Sequence, residues 1–427
     1  MLKTLRHSAM NSAATPLLAS LLAPPIGILA ACFLTLLWLR IFHPDTTIPV
    51  EWHGSTEFPL FRDFRAYYRA AELVLRGKSP YEWSWYLGTP VFARILAPFA
   101  LLGFGPAVLL FQILSILPWP ILAAYKALRS PDGLIVTFAA GSFLLTSAPF
   151  LWGVHRANVD PVLGVCLVIA FIALAGSRDR LAGVFLSIAI CVKYYALLLL
   201  VPLEVLGFRR AANTAYAVCA ALFFLFGPLD WLRPFSKFQM VERLYFLMPV
   251  HNISTAQVWW KLGGWLGITT LTEGDSVIRT LWLLALLVPF VVSLVADFRR
   301  QSAPSTSKVE ELALYSVFFF GFPRQIYPYV AVTTLPLFFV LLRLWNSNPS
   351  GISKRLLLGL AVALGLQHCH AGALGLLLET GGIPAGGVRI LDAAGSLAAM
   401  VFVALWKIHQ AFELRSGSAQ RSPSVTT

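Results

Sequence analysis

Apolar runs of roughly membrane-crossing length follow one another along most of this chain, and several are too short to cross alone. By span length there are about twelve, at approximately residues 26–42, 105–125, 133–151, 159–176, 181–193, 195–207, 214–231, 276–296, 311–323, 328–345, 355–377 and 388–409. The chain is 58% hydrophobic and 12% charged. A soluble domain of this size carries about twice that charged fraction. The expected fold class is therefore an all-α polytopic membrane protein, integral and multi-pass. Residues 26–42 are too long and too aromatic for a cleaved leader, and no A-x-A-like site follows, so they read as an uncleaved first helix. Residues 91–103 form a shorter apolar stretch suited to the interface.

Two pairs of runs break the pattern. Arg178 to Arg210 spans 33 residues, whereas two full crossings need about 40 plus a turn. Both ends are basic and Lys193-Tyr194-Tyr195 lies in the middle. The pattern predicts two half-length helices meeting at Lys193, sheltered among other helices, because irregular backbone at depth survives only inside protein or beside water. Residues 311–345 repeat the arrangement, with the bend at Pro323 to Tyr329.

The formal charge of +13 points to topology and lipid phosphates, not to nucleic acid. Lys126 and Arg129, Arg178 and Arg180, Arg209 and Arg210, Arg299 and Arg300, and Lys354 and Arg355 fall on one side of the predicted spans, which makes that side cytoplasmic. The main non-cytoplasmic loops are then about 43–90, 151–158 and 232–275. Residues 1–412 are expected to form one transmembrane domain, and 413–427 a disordered cytoplasmic tail. The five cysteines all lie inside apolar runs, and their scatter suits neither a disulfide framework nor a zinc site. Histidines two apart at His368 and His370 do not share a helix face. No metal site is expected.

The first outer loop carries the most distinctive segment. In residues 62–76, Arg62, Arg65, Arg69, Glu72 and Arg76 recur at helical spacing, and Phe64, Tyr67, Tyr68, Ala71, Val74 and Leu75 form the opposite face. At about 100° per residue, Asp63 falls beside Tyr67 and Val74, toward the aromatic side. A carboxylate among apolar groups is a candidate base. An Asp in a first helical turn is also explained, with no catalytic role, by the helix macrodipole. From the residues alone both readings stand. Gly77 and Pro80 should end the helix.

The run Asp63-Phe64, Tyr67-Tyr68, Ala70-Ala71, Leu75, Gly77, Pro80-Tyr81, then Pro90 and Ala97-Pro98, resembles the first-loop pattern of glycosyltransferase family 87. These are polyprenyl-phosphate-mannose-dependent mannosyltransferases of the GT-C superfamily. Weaker likenesses continue at Gly153 to Asn158, at Lys193, at His251-Asn252 and at residues 324–329. The chain departs from the pattern at Arg156-Ala157-Asn158, where Gln commonly precedes the Asn, and at Tyr327 and Tyr329, where a His is common. The resemblance implies a GT-C-like fold with the amphipathic helix in the first non-cytoplasmic loop. It implies inverting transfer of a hexose, mannose in the family, from a polyprenyl-phosphate sugar to a lipid or glycan acceptor. The lipid-linked donor is then a substrate, and no cofactor is called for. It places the work at the non-cytoplasmic face of a membrane, the inner membrane in a bacterium, and favours Asp63 as the base.

Such a transfer needs a base on the acceptor hydroxyl and positive charge on the departing phosphate. Under the predicted topology Asp63, Arg156, Lys193, His251 and Arg324 all lie at or near the outer side. Arg156 can pair with a phosphate bidentately, or simply snorkel to the interface. Lys193 is a functional candidate by its depth, or is balanced by a carboxylate such as Asp160. Arg324, near Tyr327, is read in the same two ways. Asp160 before Pro161 reads as a helix cap with proline at the first helical position. Tyr194 and Tyr195 read as interface aromatics. Arg62, Tyr67, Tyr68, Asn158, His251 and Tyr327 complete the expected substrate-contacting set. A transporter or flippase of a lipid-linked sugar is the alternative that broken helices and intramembrane cations also allow.

Overall fold

A computed structural model describes residues 62–116 (except 84), 118–119, 153, 156–234 (except 228), 273–300, 308–320, 351–367 and 385–419, with a few positions between 333 and 345. The expected spans at 26–42 and 133–151, most of the 232–275 loop and the bend at 323–329 lie outside these residues. The described residues are helical and contain no strand. In chain order the α-helices are α1 (Arg62–Leu75), α2 (Pro90–Ala100), α3 (Phe104–Ile116), α4 (Asp160–Ala175), α5 (Asp179–Val192), α6 (Leu200–Val205), α7 (Arg209–Leu225), α8 (Glu273–Arg300), α9 (Lys308–Ala313), α10 (Gly351–Gln367) and α11 (Ala385–Ala419).

The break at Lys193 takes a specific form. At a rise of 1.5 Å per residue, the 14 residues of α5 extend about 21 Å, short of a hydrocarbon core of about 30 Å. Lys193 ends α5 in extended backbone, φ −147° and ψ 130°. The chain then continues as a 3-10 segment, Tyr194–Leu199, before α6. In the second short pair, α9 gives way to a 3-10 segment at Leu314–Phe320, and the expected bend at Pro323 to Tyr329 lies outside the described residues. The two irregular segments pack on each other, with the Tyr195 and Phe319 rings 5.1 Å apart. Each shelters the other's imperfectly bonded backbone, the condition under which such backbone persists at depth.

Around this centre α4 lies against α5, and α5 against α7, while α11 packs on both α8 and α10. The α5–α7 contact depends on Gly183. A Cβ there would sit 2.5 Å from the Ala211 carbonyl oxygen and 2.7 Å from the Thr214 Cβ. Gly183→Val forces the two helices apart, and we expect it to cost about 1–3 kcal/mol, read as a lowered melting midpoint in detergent. An unchanged midpoint would show that the helices separate freely.

The outer faces are apolar. Along α8, Leu284, Leu287, Val288, Val291 and Val295 form one exposed stripe, while Leu286, Phe290, Ser293 and Asp297 face inward. Val362 on α10 and Leu405 on α11 are exposed as well. Contiguous apolar surface of this extent is a signature of contact with lipid or another apolar partner. Within α11, Ala394–Glu413 is long and apolar enough to cross a membrane. α11 also runs to Ala419, past Glu413, where the sequence suggests disorder. The terminal residues 420–427 lie outside the described set.

α1 is seated by its aromatic face. Phe64 is fully buried, with its ring 4.9 Å from Phe111 and 6.0 Å from Phe104. Tyr67 meets Phe92 edge-on at 5.6 Å, and Ala70 and Ala71 are buried. Arg65, Arg69 and Arg76 are exposed, as the two-faced pattern predicts. Leu75 is exposed too, contrary to that pattern, because the helix ends there and leaves its packing surface. Gly77, at φ +71°, closes α1. Its N–H donates to the Val74 carbonyl at 3.0 Å and that of Lys78 to Leu73 at 2.9 Å, the paired bonds of a glycine-ended helix.

Candidate active site

The site begins with how α1 and α2 reach the end of α5. The Thr89 hydroxyl caps α2, accepting from the Phe92 N–H at 3.1 Å. It also donates to the Cys191 carbonyl, two residues before Lys193. One buried threonine thus fixes the loop unit onto the break in the α5 segment.

The loop before α4 is the second component. Ala157 adopts a left-handed backbone, φ 47°, which costs a residue bearing a Cβ about 1–3 kcal/mol. Asn158 follows it, buried, and its N–H donates to the Gly153 carbonyl at 2.8 Å. The Asn158 side-chain oxygen accepts from the Asp160 N–H at 2.9 Å, a local turn that Asn forms readily. That bond decides the orientation of the amide. Its NH2 must point the other way, and there Asn158 Nδ2 donates to Asp63 Oδ2 at 2.7 Å. The Tyr67 hydroxyl oxygen lies 3.5 Å from the same nitrogen. Burial pushes the Tyr67 phenol well above its ordinary range, and the Asp63 and Asp160 carboxylates push the same way. Tyr67 therefore stays protonated.

Asp160 corrects the sequence reading. It occupies the first turn of α4 beside Pro161, but Val159 is the capping position and no side chain caps the helix. Its carboxylate is fully buried and turned to other partners. Lys193 Nζ donates to Oδ2 at 3.1 Å, and the Tyr195 hydroxyl donates to Oδ1. Tyr195 is therefore a buried hydrogen-bonding group, not an interface aromatic. The ion pair left open as one account of Lys193 is present. The Lys193 side chain is nevertheless 27% exposed.

Asp63, Tyr67, Asn158 and Lys193, four of the expected site residues, thus belong to one network, joined through Asp160. Arg156 lies two residues before Asn158, half-buried. Tyr68 is not part of the network. It is buried in the aromatic core, and its hydroxyl donates to the Ala100 carbonyl at 3.3 Å. Arg62 opens α1, with a side chain outside the described set, as are His251, Arg324 and Tyr327 altogether. Sequence reasoning offered Asp160 as a cap and as one partner for Lys193, and missed its links to Tyr195 and Asn158. The available signal was a carboxylate at the mouth of an apolar span, opposite a lysine in another.

The two carboxylates are not equivalent. Asp160 has both oxygens bonded and no exposure. Asp63 is half-buried, with Oδ2 held by Asn158 and no hydrogen bond to Oδ1 among the described residues. Only Asp63 offers an oxygen to an incoming proton donor.

Comparison with known proteins gives this arrangement its context. GPI mannosyltransferase 1 of Dictyostelium discoideum is 28% identical over 158 residues, covering 36% of this chain and 35% of that protein. The chain thus aligns with about a third of the length of the curated relative it matches. The sequence model of glycosyltransferase family 87 matches residues 86–323. That range starts after α1 and takes in Asn158, Asp160, Lys193 and both irregular segments. More than half of the sequence falls within the match, and the apolar outer faces fit a membrane-embedded enzyme: the chain belongs to glycosyltransferase family 87.

Proposed function

We propose that this glycosyltransferase moves a hexose, in our reading mannose, from a polyprenyl-phosphate donor to a hydroxyl of a lipid or glycan acceptor, with inversion. The observation that carries the reading is the Asp63 carboxylate. One of its oxygens is held by Asn158, the other has no hydrogen bond among the described residues, and the aspartate is linked through Asn158 to the Asp160–Lys193 pair. That the Dictyostelium relative is a mannosyltransferase supports mannose as the sugar.

In the proposed reaction the acceptor hydroxyl lies against Asp63 Oδ1. Its oxygen attacks the sugar C1 from the face opposite the phosphate, and its proton passes to Asp63. The C1–O bond to phosphate breaks, with both electrons leaving on the phosphate oxygen. The products are the inverted glycoside and a polyprenyl phosphate. Lys193 and Arg156, with Arg324 in our reading, offset the charge that grows on that phosphate. His251 and Tyr327 are proposed to line the same space. Tyr67, kept protonated, can donate to a sugar or acceptor oxygen. The donor is a substrate, and the reaction as written needs no further cofactor. The site would face the non-cytoplasmic side, in a bacterium the outer side of the inner membrane.

Purified protein in detergent, given defined polyprenyl-phosphate hexoses and candidate acceptors, should form glycosylated product detectable by mass. Detergent removes any membrane barrier. A flippase would yield no product there but would move lipid-linked sugar across liposomes, and that pair of results would replace this reading. Within it, Asn158→Leu removes the donor that orients Asp63. We expect kcat to fall about 100-fold, the usual scale for misplacing a reacting group by about 1 Å, with KM changed by a few-fold. An unaltered kcat would show that Asp63 needs no such anchor.

A further inference from the structure

We propose that Asp160 is a positioning residue for both halves of the reaction, setting the Lys193 ammonium through its carboxylate and the Asn158 amide through its backbone N–H. The proposal rests on the reading that Asp63 is the base and that cations hold the departing phosphate.

Four observations converge on it. Asp160 is wholly buried, so it is not held in place for contact with water. Both of its carboxylate oxygens are bonded, one to Lys193 and one to Tyr195, and its lack of exposure keeps them from substrate. Its N–H fixes the amide that in turn holds Asp63. Finally, its main cationic partner is the residue at which the chain breaks between α5 and the 3-10 segment. A helix would continue the backbone through Lys193 and carry its side chain around the helix surface. The extended backbone at Lys193 instead directs it to Asp160, 33 residues earlier. Buried negative charge also suits the first turn of α4, where the helix dipole favours it.

A purely structural ion pair makes different predictions from a positioning one. If Asp160 only stabilises the fold, its loss lowers stability and leaves the turnover of surviving protein intact. If it positions Lys193, its loss acts on the donor and acts through Lys193. Asp160→Asn keeps the volume and an acceptor for Tyr195 while removing the charge that holds the ammonium. We expect kcat/KM for the polyprenyl-phosphate donor to fall about 100-fold, with KM for the acceptor within a few-fold of wild type. Lys193→Met should fall by a similar factor. The Asp160→Asn/Lys193→Met double variant should lose no more than the worse single, because two groups acting as one unit are not additive. Asp160→Glu, which keeps the charge but lengthens the side chain, should recover part of the loss.

The experiment is that double-mutant cycle, with Asp63→Asn assayed beside it and folding checked by size-exclusion profile and melting midpoint. Wild-type kinetics for folded Asp160→Asn would overturn the proposal. So would losses in Asp160→Asn and Lys193→Met that multiply in the double variant. Either result alongside an inactive Asp63→Asn refutes Asp160 as a positioning residue alone. Full activity of Asp63→Asn refutes the underlying reading instead.

Discussion

We expect Asp63→Asn to insert and fold like the parent protein and to lose nearly all glycoside formation. The substitution is close to isosteric, and its amide oxygen can still accept from Asn158 Nδ2, now at 2.7 Å from the carboxylate. The aromatic seating of α1 on Phe104, Phe111 and Phe92 does not involve the carboxylate. What disappears is the carboxylate oxygen that we propose takes the acceptor proton. Loss of a positioned base lowers rates by about 10²–10⁴-fold, and Asp160 cannot substitute because it is wholly buried and held by Lys193 and Tyr195. Product mass from single-turnover reactions, beside a melting curve for each protein, measures the two halves of the expectation. Turnover within a few-fold of wild type would remove Asp63 from the role of base.

The largest effect on stability is expected at a second buried charge cluster. Lys407 on α11 and Asp297 on α8 are essentially buried, and Lys407 Nζ donates to Asp297 Oδ2 at 2.5 Å. The Tyr315 hydroxyl donates to the same oxygen at 2.7 Å. Arg300 makes two bonds of 3.1 Å to Glu311 beside them. The cluster ties α8, α9, α11 and the Leu314–Phe320 segment together. Desolvation of two charges offsets much of their attraction, so the pair contributes little net stability over a well-packed apolar substitute. Removing one partner is different. Lys407→Met leaves Asp297 buried without its ammonium and should cost about 3–5 kcal/mol. Adding Asp297→Asn should restore much of that. Melting midpoints of the two singles and the double give the coupling directly. Equal midpoints for wild type and Lys407→Met would mean that Tyr315, with Arg300 3.7 Å from Asp297 Oδ1, already satisfies Asp297.

Local patterns account for much of what can be read without coordinates. The two faces of α1 follow from a recurrence of arginines every three to four residues, and its end follows from Gly77. The break at Lys193 follows from arithmetic, since 33 residues between Arg178 and Arg210 cannot cross twice. Asp160 is the instructive miss. The sequence names Asp160 as a partner open to Lys193, and that pair is present, but nothing within a turn of it indicates its bond to Tyr195. Its partners come from another helix and from the irregular segment after it. Tyr195 was misread for the same reason: next to Lys193 in a short apolar hairpin it has the composition of an interface aromatic, and only packing buried it.

What the sequence determined by itself is therefore what depends on near neighbours: apolar helices, the break at Lys193 and the glycine end of α1, and a carboxylate on the aromatic side of that helix. Tertiary structure alone decided which polar groups meet. Asp63 and Asn158 are 95 residues apart, and Asp297 and Lys407 are 110 apart. Periodicity ranks faces within a helix but does not say which helix lies opposite. Buried polar groups must find partners, and the fold chooses among the candidates by distance.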